Sequence, residues 1–194
     1  SRPPIHQSSI TASHYALDSH AVRKREEGRV HLDGFLSYPS AVYTVPYGVM
    51  VPKEVGNLLL PVPVSGSHIG FSTLRMEPCW MAMGQAAGIA SALSIDGKVK
   101  VQNIDLSRLQ DKLVDQKATL MYFKDVDYTS PHFRMVQYLG LRGYLPEWTA
   151  RLQEPVDMAT LTAWKKLSGK DLPGIEAGKT TRLVALEMIY RKIK

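Results

Sequence analysis

The chain has 194 residues, 44% of them hydrophobic and 22% charged, which excludes a disordered polymer and suits one globular domain or one with a small addition. Its longest nearly apolar run, Met81 to Ile95, is broken by Gln85, Ser91 and Ser94 and falls short of the roughly 20 apolar residues that a membrane-spanning helix needs. The net charge of +6 is uneven, since residues 165–194 hold eight Lys/Arg against three Asp/Glu; such a tail reads first as a solvated helix face and second as a grip for a polyanion.

No membrane partner is therefore expected, and nucleic acid is not the favoured one. The single cysteine, Cys79, cannot form an internal disulfide and sits in an apolar stretch, where a buried, unreactive thiol is expected. The chain opens on Ser1 with no signal-peptide pattern, and its compartment is not legible.

In chain order, residues 1–27 read as a polar lead. The alternating "GRVHLDGFL" (28–36) and "AVYTVPYGVMV" (41–51) read as strands. "NLLLPVPVS" (57–65) has strand length, but Pro61 and Pro63 cannot donate ladder hydrogen bonds, which puts it at a sheet edge or ends the pairing early. "SGSHIGFST" (65–73) reads as a turn into a helix from Glu77 to Leu93, with Pro78 in its first turn and Asp96-Gly97 closing it. A short strand in "VKVQNID" and an amphipathic helix from Leu106 to Gln116 follow.

The texture then changes to short helices: Pro131 to Leu141 ended by Gly143, one capped by Asp157 and one capped near Thr180. The expected fold class is mixed α/β, with a main segment over 1–122, a small helical appendage over 123–194 and no internal repeat.

The helix from Glu77 raises the chemical question. Gly84 and Gly88 lie inside it, each costing about 1 kcal/mol relative to alanine, so a closely approaching neighbour is expected to offset them. Its first amides lack partners within the helix, and the summed peptide dipoles place about half a positive charge there. Arg75, just upstream, adds a full charge. Together they suit an anion or an electron-rich ring edge. Pattern alone serves equally well for a tightly packed core helix.

At these residues a resemblance enters. "NLLLPVPVSGSHIGFSTLRMEPCWMAMGQAAGIASAL", preceded by "YTVPYGVMVPKEVG" and "ALDSHAVRK", resembles the C-terminal part of bacterial FAD-dependent oxidoreductases with a glutathione-reductase-like FAD fold, some of which carry a xanthan lyase label. The resemblance runs from about Tyr15 to Leu120. It implies FAD as cofactor, a two-domain flavoprotein fold, and a Rossmann half, not present here, as the partner that holds the ADP end. Asn57 to Val64 would then be a late strand, Ser65 to Thr73 a turn beside the flavin ring with Ser65 and Ser67 as donors, and Glu77 to Leu93 a helix aimed at the flavin pyrimidine.

On that resemblance Arg75 and the amide end at Glu77 would stabilise the reduced flavin, and Gly84, Gln85 and Gly88 of "GQAAG" would belong to the cofactor-binding set, the glycines letting the helix pack against the Rossmann half. His68, in the turn, and His20, in "DSH", become candidates for proton handling of a small-molecule or carbohydrate substrate. Each histidine also reads as a local hydrogen-bonding residue. Asp18 would orient His20 or cap the turn that follows it. The sequence departs from the wider flavoprotein pattern in having "PVPVS" where relatives place Gly-Asp or Gly-Arg. It also lacks a G-x-G-x-x-G after a strand, so the chain alone is not expected to hold FAD tightly.

Other motifs are set aside. "GIEAGKT" has one residue too few between its glycines for a phosphate-binding loop, and "GSHIG" places histidine where a hydrolase elbow needs serine. His6, His14, His31 and His132 have no metal-ligand spacing, so no metal is expected. The tail from Phe123 weakly resembles a surface-layer homology motif. On that rival reading the protein is a non-catalytic module gripping cell-wall glycan; the plainer reading is a helical cap burying Phe133, Tyr138, Trp148 and Trp164.

Overall fold

A computed structural model describes residues 2–19 and 36–194. Among these residues the fold is mixed α/β, with two small antiparallel sheets and six α-helices. Strand β1 (Ser9–Ser13) pairs with β4 (Tyr43–Pro46), placing Thr11 opposite Val45 and Ser13 opposite Tyr43. Strand β2 (Leu17–Ser19) pairs with β3 (Leu36–Tyr38), Asp18 facing Ser37. The polar lead therefore contains two strands; Ile10 buries almost completely, and the serines and threonines around it disguise the pattern. Most of "GRVHLDGFL", with His20 and His31, lies outside the described residues.

Three further expectations are corrected. Asn57 to Ser65 is not a strand: Asn57 adopts φ +57°, and Pro61 and Pro63 leave only scattered bonds, such as Leu60 N–H to the Met50 carbonyl at 2.8 Å and Ser65 N–H to that of Val49 at 2.7 Å. The supposed turn is instead helix α1 (His68–Leu74), because Ser67 caps it by accepting from Gly70 N–H at 3.0 Å. "VKVQNID" forms a 3-10 turn (Val101–Asn103) rather than a strand.

Helix α2 (Glu77–Gly97) runs one turn past Leu93 and ends at Lys98 in the left-handed region. It buries Cys79, Met83, Ala86, Ala90 and Leu93, a stripe of alternating four- and three-residue steps, against β1 and helix α3 (Leu106–Asp115). Asp105 caps α3, and Gln110 within it donates to the carbonyls of Gln7 and Ser9, tying β1 down.

The tail continues the same hydrophobic core through α4 (Phe133–Leu141), α5 (Met158–Ser168) and α6 (Arg182–Ile193). Buried Gln137 of α4 accepts from the amides of Leu120 and Met121 at 2.8 Å and donates to the Met121 carbonyl. Trp164 is sealed in the core and donates to the Tyr144 carbonyl at 2.8 Å. Arg2 reaches over from the other end of the chain. Its guanidinium lies 4.4 Å from the Trp148 ring centre and 4.9 Å from that of Phe123, and it donates to the carbonyls of Tyr122 and Glu147. Burial pushes its pKa down to about 10.

After α4 come Gly143 at φ +87°, Leu145-Pro146 and a capping Asp157; after α5 come Gly169 at φ +60°, Leu172-Pro173 and a capping Thr181. The two approaches pair antiparallel at Pro155 and Thr181, with Val156 N–H donating to Thr180 and Arg182 N–H to Glu154.

The close approach expected at Gly84 and Gly88 occurs elsewhere. A Cβ on Gly140 would lie 2.9 Å from the Phe123 ring and 3.0 Å from Met121 Sδ. Gly140→Ala should destabilise the chain by about 1–3 kcal/mol, read from chemical denaturation. A second outcome concerns acid. Asp157 is held below the usual carboxylate range, chiefly by its bond from the Thr160 hydroxyl and then by that from the Thr160 N–H. A depressed native pKa contributes stability above the ordinary carboxylate range and loses it as pH falls through the native value. Asp157→Asn should therefore flatten the fall in Tm below about pH 4.

Candidate functional site

Helix α1 and the start of α2 carry most of the candidate residues, and the residue between the helices is Arg75. Polar bonds from α1 fasten this corner to the β2 segment. Ser72 Oγ accepts from Asp18 N–H at 3.1 Å, Thr73 Oγ1 donates to the Tyr15 carbonyl at 2.6 Å, and Arg75 Nη2 donates to Asp18 Oδ2 at 2.8 Å. The Tyr15 ring centre lies 5.6 Å from the Arg75 guanidinium carbon, and Ser40 Oγ joins Thr73 on the Tyr15 carbonyl. The ion pair is part-buried, 34% exposed at Arg75 and 16% at Asp18.

This pairing modifies the expected electrostatics. The charge that Arg75 brings to the α2 start is largely balanced by Asp18, while Glu77 places an exposed carboxylate in the first turn. Pro78 has no N–H, and those of Cys79 and Trp80 turn back to the Met76 carbonyl at 3.0 and 3.2 Å. Among the described residues, that leaves the Glu77 amide for an incoming acceptor.

The remaining candidates are spread out. Ser65, Ser67 and His68 are exposed at the entry to α1, separated from Arg75 by a helix of seven residues, about 10 Å at 1.5 Å per residue. Gln85 is exposed on α2 and donates to Gln116 beside α3 at 2.8 Å. A Cβ added at Gly84 or Gly88 meets nothing within 4 Å, so no described residue supplies the expected neighbour. The face they share is bare, with Met81 75% and Ile95 76% exposed along it. His20 lies outside the described residues.

A family model described as FAD dependent oxidoreductase matches residues 3–113. The chain belongs to that family. FAD is accordingly its cofactor. No curated protein and no solved structure matches the chain. The family match spans β1 to α3 and includes the whole Arg75 corner and the bare face of α2.

The residues present suit a flavin in kind. An arginine, exposed serine hydroxyls and, among the described residues, the open Glu77 amide are donors that the edge of a flavin ring accepts. The contacts of Tyr15 and Asp18 with this corner are not legible in the sequence, because Asp18 and Arg75 are 57 residues apart and no periodicity links them.

The basic tail is largely spoken for within the fold. Lys165 pairs with Asp171, Lys179 with Glu176 and Lys194 with Asp111; Lys170 and Lys192 donate to backbone carbonyls. Arg182 is buried, donating to the Ala150 carbonyl beside Trp164. Among the described residues no three His, Cys, Asp or Glu side chains gather as a metal site requires, and no helix is long and apolar enough to cross a membrane.

Cys79, below the Arg75 corner, is buried, and burial pushes its thiol up while a bond with Ser13 pulls weakly the other way. It should resist alkylation by iodoacetamide at pH 8 in the native state and react promptly in denaturant; rapid native labelling would contradict the packing.

Proposed function

We propose that this chain is the part of an FAD-dependent oxidoreductase that closes over the flavin end of the cofactor, against a Rossmann half that holds the ADP end. The whole enzyme would pass a hydride or an electron pair between a small-molecule or carbohydrate substrate and the flavin. The observation that carries the reading is the bare face of α2. Each glycine in a helix interior costs about 1 kcal/mol relative to alanine, and nothing among the described residues offsets that at Gly84 and Gly88. Exposed Met81 and Ile95 on the same face would be covered by the same partner.

When bound, the flavin supplies the ring that accepts and returns the electron pair. This chain's share is electrostatic and protonic. Arg75 and the Glu77 amide would favour negative charge on the ring edge, Ser65 and Ser67 would offer hydroxyl donors, and His68 and His20 would hold or release a proton at the substrate. The Glu77 carboxylate and Asp18 limit the positive field, so the corner would tune the flavin rather than simply attract it.

Alanine at Gly84 and Gly88 separates this reading from a plain surface helix. In the 194-residue chain each substitution should raise stability by up to about 1 kcal/mol, since the new methyl meets no atom. In the full-length flavoprotein the same substitutions should weaken flavin retention, measured as FAD released on dilution. Equal stabilisation in both contexts would falsify the proposal that this face is covered by a partner half.

A further inference from the structure

We propose that Asp18 is a positioning residue for Arg75: it holds the guanidinium against β2 and balances its charge, and so sets how strongly the α2 start favours reduced flavin. The inference rests on the flavin-facing role proposed above for that end of α2. Arg75 stands between the last residue of α1 and Met76, which caps α2, so the orientation of its side chain is tied to the joint between the two helices.

Asp18 meets that joint through both its backbone and its side chain. Its N–H donates to Ser72 Oγ, and its Oδ2 accepts from Arg75 Nη2 at 2.8 Å and from the Tyr15 hydroxyl at 3.5 Å. The Tyr15 ring beneath the guanidinium, and the Thr73 bond to the Tyr15 carbonyl, hold the same geometry from the other side. A planar guanidinium so held keeps its donors in one direction, and a part-buried pair is screened less by salt than a surface one.

Loss of the carboxylate would release the guanidinium from β2 and let it turn toward the α2 start. An anionic reduced ring nearby would gain more from it than a neutral oxidised ring. In the flavin-loaded full-length protein, Asp18→Asn should raise the reduced form's binding over the oxidised form's by about tenfold, a rise of about 30 mV in the two-electron potential. Arg75→Gln should lower the potential.

In the Arg75→Gln background, Asp18→Asn should retain less than roughly a third of its single-variant shift, as two groups acting as a unit are not additive. Asp18→Glu, which keeps the carboxylate, should stay near the wild-type value. Equal shifts from Asp18→Asn with and without Arg75 overturn the positioning role, because the carboxylate then acts by its own charge. A shift for Arg75→Gln with none for Asp18→Asn overturns it as well. If Arg75→Gln itself changes neither potential nor flavin affinity, the flavin-facing reading fails and takes the inference with it. Should Asp18→Asn alone not fold, comparison of Arg75→Gln with the double variant decides the matter, equal potentials supporting the inference and a rise of the full predicted size refuting it.

Discussion

Burial of the stripe from Cys79 to Leu93 is the constraint that holds α2 to β1 and α3, the elements that pack against it. A helix with only one covered side ordinarily presents charged or long polar residues on the other. Here the opposite side carries, beside Glu77 and Gln85, two glycines, alanine, methionine and isoleucine. The covered stripe accounts for how this segment folds, and the uncovered one is the surface assigned above to the proposed partner half. The same helix therefore links the packing of the chain to its family.

The start of α2 shows how tertiary pairing reshapes a local electrostatic pattern. Taken alone, Arg75 next to an open helix end is a strongly positive corner. Folding brings Asp18 to it, and Glu77 adds a second carboxylate nearby. What results is a nearly balanced site whose field depends on a few hydrogen bonds, which is a more adjustable device than a bare cation. Ser72 and Thr73, buried beneath, make the adjustment rigid by fixing the backbone from Tyr15 to Asp18.

Legibility followed the range of the forces involved. Helices α2 and α3, and the caps at Asp105 and Asp157, are written in spacing and in residues that act within a turn of themselves. Helix α1 is hidden because the two glycines and three serines of residues 65–73 resemble a loop, although Ser67 is the residue that starts the helix. The strand expected over 57–65 failed on its prolines, which deny it a ladder. The pairing of Asp18 with Arg75 left no local trace, and neither did the contact at Gly140, whose neighbours Met121 and Phe123 arrive from another part of the chain. The resemblance pointed to the family, but it could not supply those long-range partners.

The grip on Arg2 has a consequence for how the molecule comes apart. Arg2 is held against two aromatic rings and two carbonyls contributed by residues 122–148. Regions joined by such contacts tend to open together rather than one at a time. Loss of order around Trp148 would thus release the segment that leads into β1, although the two lie far apart along the polypeptide.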